Sequence, residues 1–312
     1  MNAALPVFSV ATPTRNSLGK LKRCIGSVRG QREVTLEHLV QDAMSTDGTA
    51  EWLRSQAAQD ARLHPVSEAD AGMYDAINRA WARARGRYLS WLNSDEQYLP
   101  GALQRVHELF EHHPGVEAIF ADYLVADDDG RAVALRREIP LRRFNIVNTF
   151  LNVQSCTLFF RRELWDRGLL KMDNSYRYAA DKELVLRLHD AGVQFLHVPE
   201  VLSVFGVDGH NLSTHAGMEM EAEHIRLANG GSRLWPVRAV AYGARRLERL
   251  VRGGYRSVSL QYRYAIDEVP HYAHFRAVDL GGRYTLADTV GRAERIVAAE
   301  VAAERGGQKG RT

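Results

Sequence analysis

Cysteine is scarce: Cys24 and Cys156 are the two in 312 residues. Two thiols cannot build a disulfide framework, and their spacing excludes a zinc site, so a reducing compartment is expected. Long apolar runs are lacking as well. No stretch reaches membrane-spanning length. No basic segment followed by an apolar run opens the chain, so no secretion signal is expected. Charge of one sign is not in large excess, since the net charge is only +3. What remains is ordinary globular composition, 45% hydrophobic and 25% charged. A chain of this length buries a full core and holds one large domain, or one domain plus an extension.

The first half alternates strand and helix signals. Val7 to Thr12 reads as a short apolar strand ending in Pro13-Thr14-Arg15-Asn16. Leu18, Leu21, Ile25 and Val28 then recur at helical spacing. His38 to Asp42 is a second strand. Ser45 to Asp47 are capping candidates for a helix carrying Trp52 and Leu53. A strand at Leu63 to Val66, a helix at Ala76 to Ala84 and a strand at Gly86 to Leu92 follow. This order predicts an α/β fold with a mostly parallel sheet flanked by helices. Val116 to Val125 and Ala132 to Ile139 read as a hairpin. The acidic cluster Asn93-Ser94-Asp95-Glu96 falls in the turn after the fourth strand. Open α/β sheets bind ligands at that edge. Acids there suit a divalent cation held against a diphosphate.

Four ordered segments carry a resemblance: Pro13-Thr14-Arg15-Asn16, Gln41 to Thr49, Asp70 to Asn78, and Leu92 to Glu96. A fifth is Ala179-Ala180-Asp181-Lys182-Glu183-Leu184. Together they resemble the inverting family 2 glycosyltransferases of bacterial surface-polysaccharide type, with the GT-A fold. The likeness covers about residues 5–212, and the ordered set is more specific than any single motif. It implies a catalytic domain over residues 1–217, with a nucleotide-binding half to about 100 and an acceptor half beyond.

The resemblance assigns roles. Asp42 would accept the imino hydrogen bond of uracil, with Pro13, Arg15 and Asn16 walling the nucleoside corner. Asp47 reads as a helix cap. Asp70 would reach ribose or donor sugar, and Asn78, Asn93 and Ser94 would face the same cleft. Asp95 is the expected ligand for Mn²⁺ or Mg²⁺, with Glu96 a candidate ligand or supporting acid. The family's first metal-motif acid is Asn93 here, and an amide contributes no charge. Asp181 is the expected general base; the Glu usually preceding it is Ala180, which leaves Glu183 as the competing acid. Gln154 and Ser155 are read as an acceptor-side strand. His210, in the Gly/Asn/Ser-rich loop from Gly206 to Gly217, is a secondary metal candidate.

From about Met218 to residue 312 the composition turns arginine-rich and helical. Val237, Val240, Ala244, Leu247 and Val251 share one helical face, and Arg238, Arg245, Arg249 and Arg252 another. That pattern predicts either a helix lying on an anionic bilayer or one packed on the catalytic domain with a solvated basic face. No nucleic-acid motif accompanies the arginines. The expected reaction moves a sugar from a nucleotide-diphosphate donor, UDP-linked by resemblance, to a saccharide or lipid-linked saccharide. The expected place is cytoplasmic, with a peripheral seat on the inner face of the membrane if the basic helix lies on the bilayer. Two rivals remain. A nucleotidyltransferase needs a glycine-rich basic loop, where this chain offers only Arg15 and Lys20. A carbohydrate- or lipid-binding protein with a decayed site is favoured by Asn93 and Ala180.

Overall fold

The computed structural model describes residues 5–127, 132–207, 216–256, 260–265 and 272–277. Its first half is the alternation read from the sequence. The elements are β1 (Phe8–Thr14), α1 (Leu18–Arg29), β2 (Leu36–Asp42), α2 (Thr49–Ala57), β3 (Leu63–Ser67), α3 (Met73–Ala82) and β4 (Tyr88–Trp91). β1, β2 and β4 are buried along their whole length, as strands covered on both faces must be. The four strands are parallel, in the order β3-β2-β1-β4. The register sets Thr14 beside Asp42 and Asp42 beside Ser67, so three carboxyl ends stand level. The chain runs outward from β1 to β3 and then crosses back to β4. The order therefore reverses between β1 and β4, which is where such sheets open a binding crevice.

The second half is mixed rather than parallel. It contains β5 (Gln97–Tyr98), α4 (Ala102–His112), β6 (Ala118–Ala126), β7 (Ala132–Arg136), α5 (Arg143–Asn148), β8 (Phe159–Arg161), α6 (Glu163–Asp166), α7 (Ala180–Asp190) and β9 (Phe195–Gly206). β8 lies antiparallel between β4 and β6, and β9 runs parallel to β6. The β6–β7 hairpin is present, with Tyr123 opposite Arg136. Apolar cores fill both faces of the sheet. Trp81, Trp91, Phe160 and Leu184 lie on the α3/α7 side; Phe8, Tyr88, Leu103 and Phe110 lie on the α1/α4 side. Trp81 meets Trp91 edge-on at 5.6 Å and has no exposed surface. Truncating a ring so placed costs about 3–5 kcal/mol.

The C-terminal part is not wholly helical. α8 (Ala216–Ala228) and α9 (Trp235–Val251) are followed by an antiparallel pair, β10 (Leu260–Ala265) and β11 (Tyr272–Ala277). The strand signal is the alternation Leu260, Tyr262, Tyr264, and Tyr262 is buried beside Leu99, Leu124 and Val204. The basic face of α9 is not wholly solvated. Ala241 and Arg245 point inward. The Arg245 guanidinium stacks 3.7 Å over Phe150 and donates to the Phe150 carbonyl at 2.9 Å. Arg142 grips Glu248 through two hydrogen bonds of 2.7 and 2.9 Å. Outward stand Trp235, Val240, Leu247, Leu250 and Val251, each at least 61% exposed. Among the described residues, no helix is long and apolar enough to cross a membrane.

Candidate active site

The first wall of the site forms where β1, β2 and β3 end. Asn16 adopts a positive φ of 49°. Its side-chain oxygen accepts from Thr46 N at 2.8 Å, and its own N–H donates to Ser45 Oγ at 2.7 Å. Short amides tolerate this left-handed conformation better than most side chains. Asp42 has no exposed surface. It accepts from Ser45 Oγ and from Ser67 Oγ, each at 2.5 Å. Asp42 thus pins the turn that Asn16 also holds, instead of presenting its carboxylate to the crevice as the sequence reading expects. Asp47 is a cap, as read: it accepts from Thr49 Oγ1 at 2.6 Å and also from Leu18 N at 3.1 Å, serving the starts of two helices. Pro13 is buried and Arg15 is exposed. Asp70 accepts from Gly72 N at 2.9 Å. Burial and then Asp75 push its carboxyl above the usual range, against the pull of the Gly72 N–H, Arg79 and Arg15.

The second wall is the turn after β4. Leu92 N donates to the Ala11 carbonyl, extending the strand to the crevice edge. Glu96 folds back beneath the turn. It accepts from Asn93 N at 2.7 Å and Asn93 Nδ2 at 3.2 Å, and it is hydrogen-bonded to Ser155 Oγ. Glu96 has no exposed surface; burial, and then the neighbouring Asp95, push its carboxyl up to about 8. It is a support for the turn rather than a ligand. Asp95 and Ser94 are half-buried, at the mouth. Asn93 Oδ1 is a buried acceptor without a protein partner. Among the described residues, no group of three His, Cys, Asp or Glu side chains could hold a metal ion. One carboxylate, Asp95, beside the orphaned Asn93 oxygen fits a divalent cation that takes its other ligands from a substrate diphosphate. Gly206, the last residue of β9, packs on the backbone of Asp95; a Cβ there would lie 2.3 Å from the Asp95 carbonyl oxygen.

Asp181 sits in the first turn of α7. Its Oδ1 accepts from Lys182 N at 2.8 Å. Burial drives its carboxyl up to about 6, although two backbone N–H groups and Lys182 favour the charged form. The phenol of Tyr74, buried at the start of α3, lies against the backbone of Ala180 and Asp181. That contact joins the Asp70-to-Asn78 segment to the segment of the proposed base. Glu183 is engaged elsewhere, in a two-pronged pair with Arg187 at 2.9 and 3.0 Å. Of the two acids in this first turn, Glu183 is locked to arginine and Asp181 is the one whose carboxyl is raised.

Residues 9–168 match the profile of glycosyl transferase family 2. The chain belongs to this family. It is 25% identical over 227 residues to the chondroitin synthase of Pasteurella multocida (strain Pm70), covering 72% of this chain and 23% of that protein. It is 32% identical over 126 residues to the putative teichuronic acid biosynthesis glycosyltransferase TuaG of Bacillus subtilis (strain 168), covering 40% of this chain and 50% of that one. The chain thus spans half or less of the length of these relatives. In structure it is similar to S. aureus TarS 1–349 in complex with UDP-GlcNAc, at a TM-score of 0.55 and 15% identity, covering 85% of this chain and 98% of that one. It is also similar to the mannosyltransferase PcManGT from Pyrobaculum calidifontis in complex with GDP-Man and Mn²⁺, at 0.52 and 19%, covering 78% and 75%. These likenesses show the GT-A fold.

Within this family 2 fold, the strand-end segments meet at one sheet edge, and α7 brings Asp181 to them through Tyr74. Besides Asp42, three sequence readings need correction. Asn78 is buried and ties both ends of its amide to Met172, donating at 2.9 Å and accepting at 2.8 Å, so it does not face the crevice. Gln154 and Ser155 lie at a 3₁₀ turn, Ser155–Thr157, not on a strand, and Ser155 reaches toward Glu96 and Asn93. Glu183 is held by Arg187. His210 lies outside the described residues. Sequence reasoning gave no role to Tyr74 and did not find Gly206 as the seat of Asp95 or Glu221 beside α7. Tyr74 was within reach, since it sits inside a quoted segment; the other two act across long loops.

Proposed function

We propose that this chain is an inverting glycosyltransferase that moves one sugar from a UDP-linked donor to a saccharide or lipid-linked saccharide. The observation that carries the reading is the meeting of the family's strand-end segments and Asp181 at one crevice edge. Asn16, Arg15 and Asp70 would line the nucleoside and ribose side, with Asp42 holding their turn in shape. Asp95 would hold Mn²⁺ or Mg²⁺, whose charge offsets that of the departing diphosphate. Asp181 takes the proton from the acceptor hydroxyl. The freed oxygen pair bonds to the anomeric carbon, the bond to the diphosphate breaks, and the diphosphate leaves with its electron pair. A single displacement inverts the centre. A positioned base contributes about 10²- to 10⁴-fold.

The outward face of α9 suggests where this happens. Its apolar row, Trp235, Val240, Leu247, Leu250 and Val251, is flanked by exposed Arg233, Arg246 and Arg252. Apolar side chains rimmed by arginine fit the headgroup region of an anionic bilayer. We place the enzyme on the cytoplasmic face of the membrane, where a lipid-linked acceptor would be presented to it.

The deciding experiment is UDP release from a panel of UDP-sugars, with Mn²⁺ and with chelator. Wild type should turn over at least one donor with Mn²⁺, and Asp95→Asn should abolish the metal stimulation. Equal turnover in chelator removes the metal from the reading. A folded protein that turns over no donor supports the decayed, binding-only alternative.

A further inference from the structure

We propose that Glu221 is a positioning residue for Asp181, acting from α8 by fixing the backbone that leads into α7. The inference rests on Asp181 being the base. α7 lacks a cap of its own: Ala179 stands at the N-cap with no side-chain hydrogen bond, and Ala180 follows. Alanine cannot satisfy the free N–H groups that every helix start leaves. Asp181 itself takes the Lys182 N–H, and Glu221, from a distant helix, takes the amides that lead into the first turn. One oxygen accepts from Arg177 N at 2.8 Å, and the other from Tyr178 N at 2.7 Å and Ala179 N at 3.0 Å. Three successive amides thus converge on one carboxylate just before the base. A negative charge at a helix start also opposes the positive end of the helix dipole.

The donor helix is firmly seated. Ile225 of α8 is in the main core, and buried Arg226 pairs with Glu223 and donates to the Ser232 carbonyl at 2.6 Å. Lys182 Nζ reaches the Ala222 carbonyl at 3.3 Å. Gly217 lets α8 start against the Tyr178 ring, where a Cβ would lie 2.5 Å from a ring carbon. The groups facing Asp181 are therefore Lys182 on its own helix, Glu221 from α8 and the Tyr74 phenol from α3. Glu221 fills a place that the chain's Ala180 leaves empty: an acid beside the base, supplied from another element.

The test uses full-length protein. UDP release to water is measured with Mn²⁺, from whichever of UDP-glucose, UDP-galactose and UDP-N-acetylglucosamine the wild type turns over fastest. Carbon-13 NMR follows the Asp181 carboxyl in parallel. Glu221→Ala should lower kcat by about 10- to 100-fold with donor KM within about twofold, because a small misplacement of a reacting group costs on this scale. Glu221→Gln, which keeps one acceptor oxygen, should fall between. Both should lower the Asp181 titration midpoint, since a nearby negative charge is lost, and both should speed hydrogen exchange at the amides of Arg177, Tyr178 and Ala179. Full kcat in Glu221→Ala, while Asp181→Asn is inactive, overturns the proposal. So does a reduced melting temperature with kcat and the Asp181 midpoint unchanged, which is what a purely structural role would give. Wild-type turnover in Asp181→Asn removes the base assignment, and the proposal with it.

Discussion

Two acids two residues apart in α7 have different fates because their surroundings differ. Glu183 lies one helical turn before Arg187 and pairs with it. Asp181 is half-buried at the helix start, where partial loss of water raises its carboxyl to about 6. A base must be ionised to accept a proton. Activity should therefore be full above the folded value and fall as pH drops through about 6, well above where an ordinary aspartate would titrate. Asp181→Asn should cut kcat at least about 10²-fold and remove that acid limb, with little change in donor KM. Glu183→Gln should keep the limb in place. A limb that persists in Asp181→Asn and disappears in Glu183→Gln would transfer the base to Glu183. Asp42 and Asn78 teach the complementary lesson. Both stand in family segments, yet one is closed over by two serines and the other is tied to Met172. Their residue types suit either binding or bracing, and only their orientation separates the two.

At the scale of elements, the site depends on backbone contacts between pieces far apart in the chain. β9 ends at Gly206 directly on the Asp95 turn, with no room for a side chain. The obstacle is a carbonyl oxygen, which cannot rotate aside as a flexible side chain would. Gly206→Ala should therefore displace the turn, destabilise the fold by about 1–3 kcal/mol, and weaken Mn²⁺-dependent UDP binding in calorimetry. Gly243→Ala is the matched control: it lies on the exposed side of α9 with nothing within 4 Å of an added Cβ. It should be neutral or slightly stabilising, as alanine usually is in a helix. Wild-type UDP affinity and melting temperature in Gly206→Ala would show that β9 does not seat Asp95.

On the scale of the whole molecule, α9 turns Arg245 toward the protein and an apolar row toward solvent. The protein should sediment with vesicles containing phosphatidylglycerol and much less with pure phosphatidylcholine. Leu247→Glu with Leu250→Glu should abolish this while leaving UDP binding intact. No vesicle binding, with a dimer that the same substitutions dissolve, would make this face a contact between copies instead. Much of the fold was legible beforehand. The short apolar runs and helical patterns of residues 7–92 mark β1 to β4 and their helices, because a strand covered on both faces is apolar throughout and each helix buries one face. The strand-end segments were legible because tight turns and charged ligands demand particular residue types. Other features depend on what meets what. β8 is three residues long and gains its place only by pairing between β4 and β6. The inward turn of Arg245 depends on Phe150, ninety-five positions away in the chain. Sequence alone determined which residue types stand at the strand ends; the tertiary structure decided which of them brace a turn and which stay open, because pattern records a residue's own face but not its neighbour across the fold.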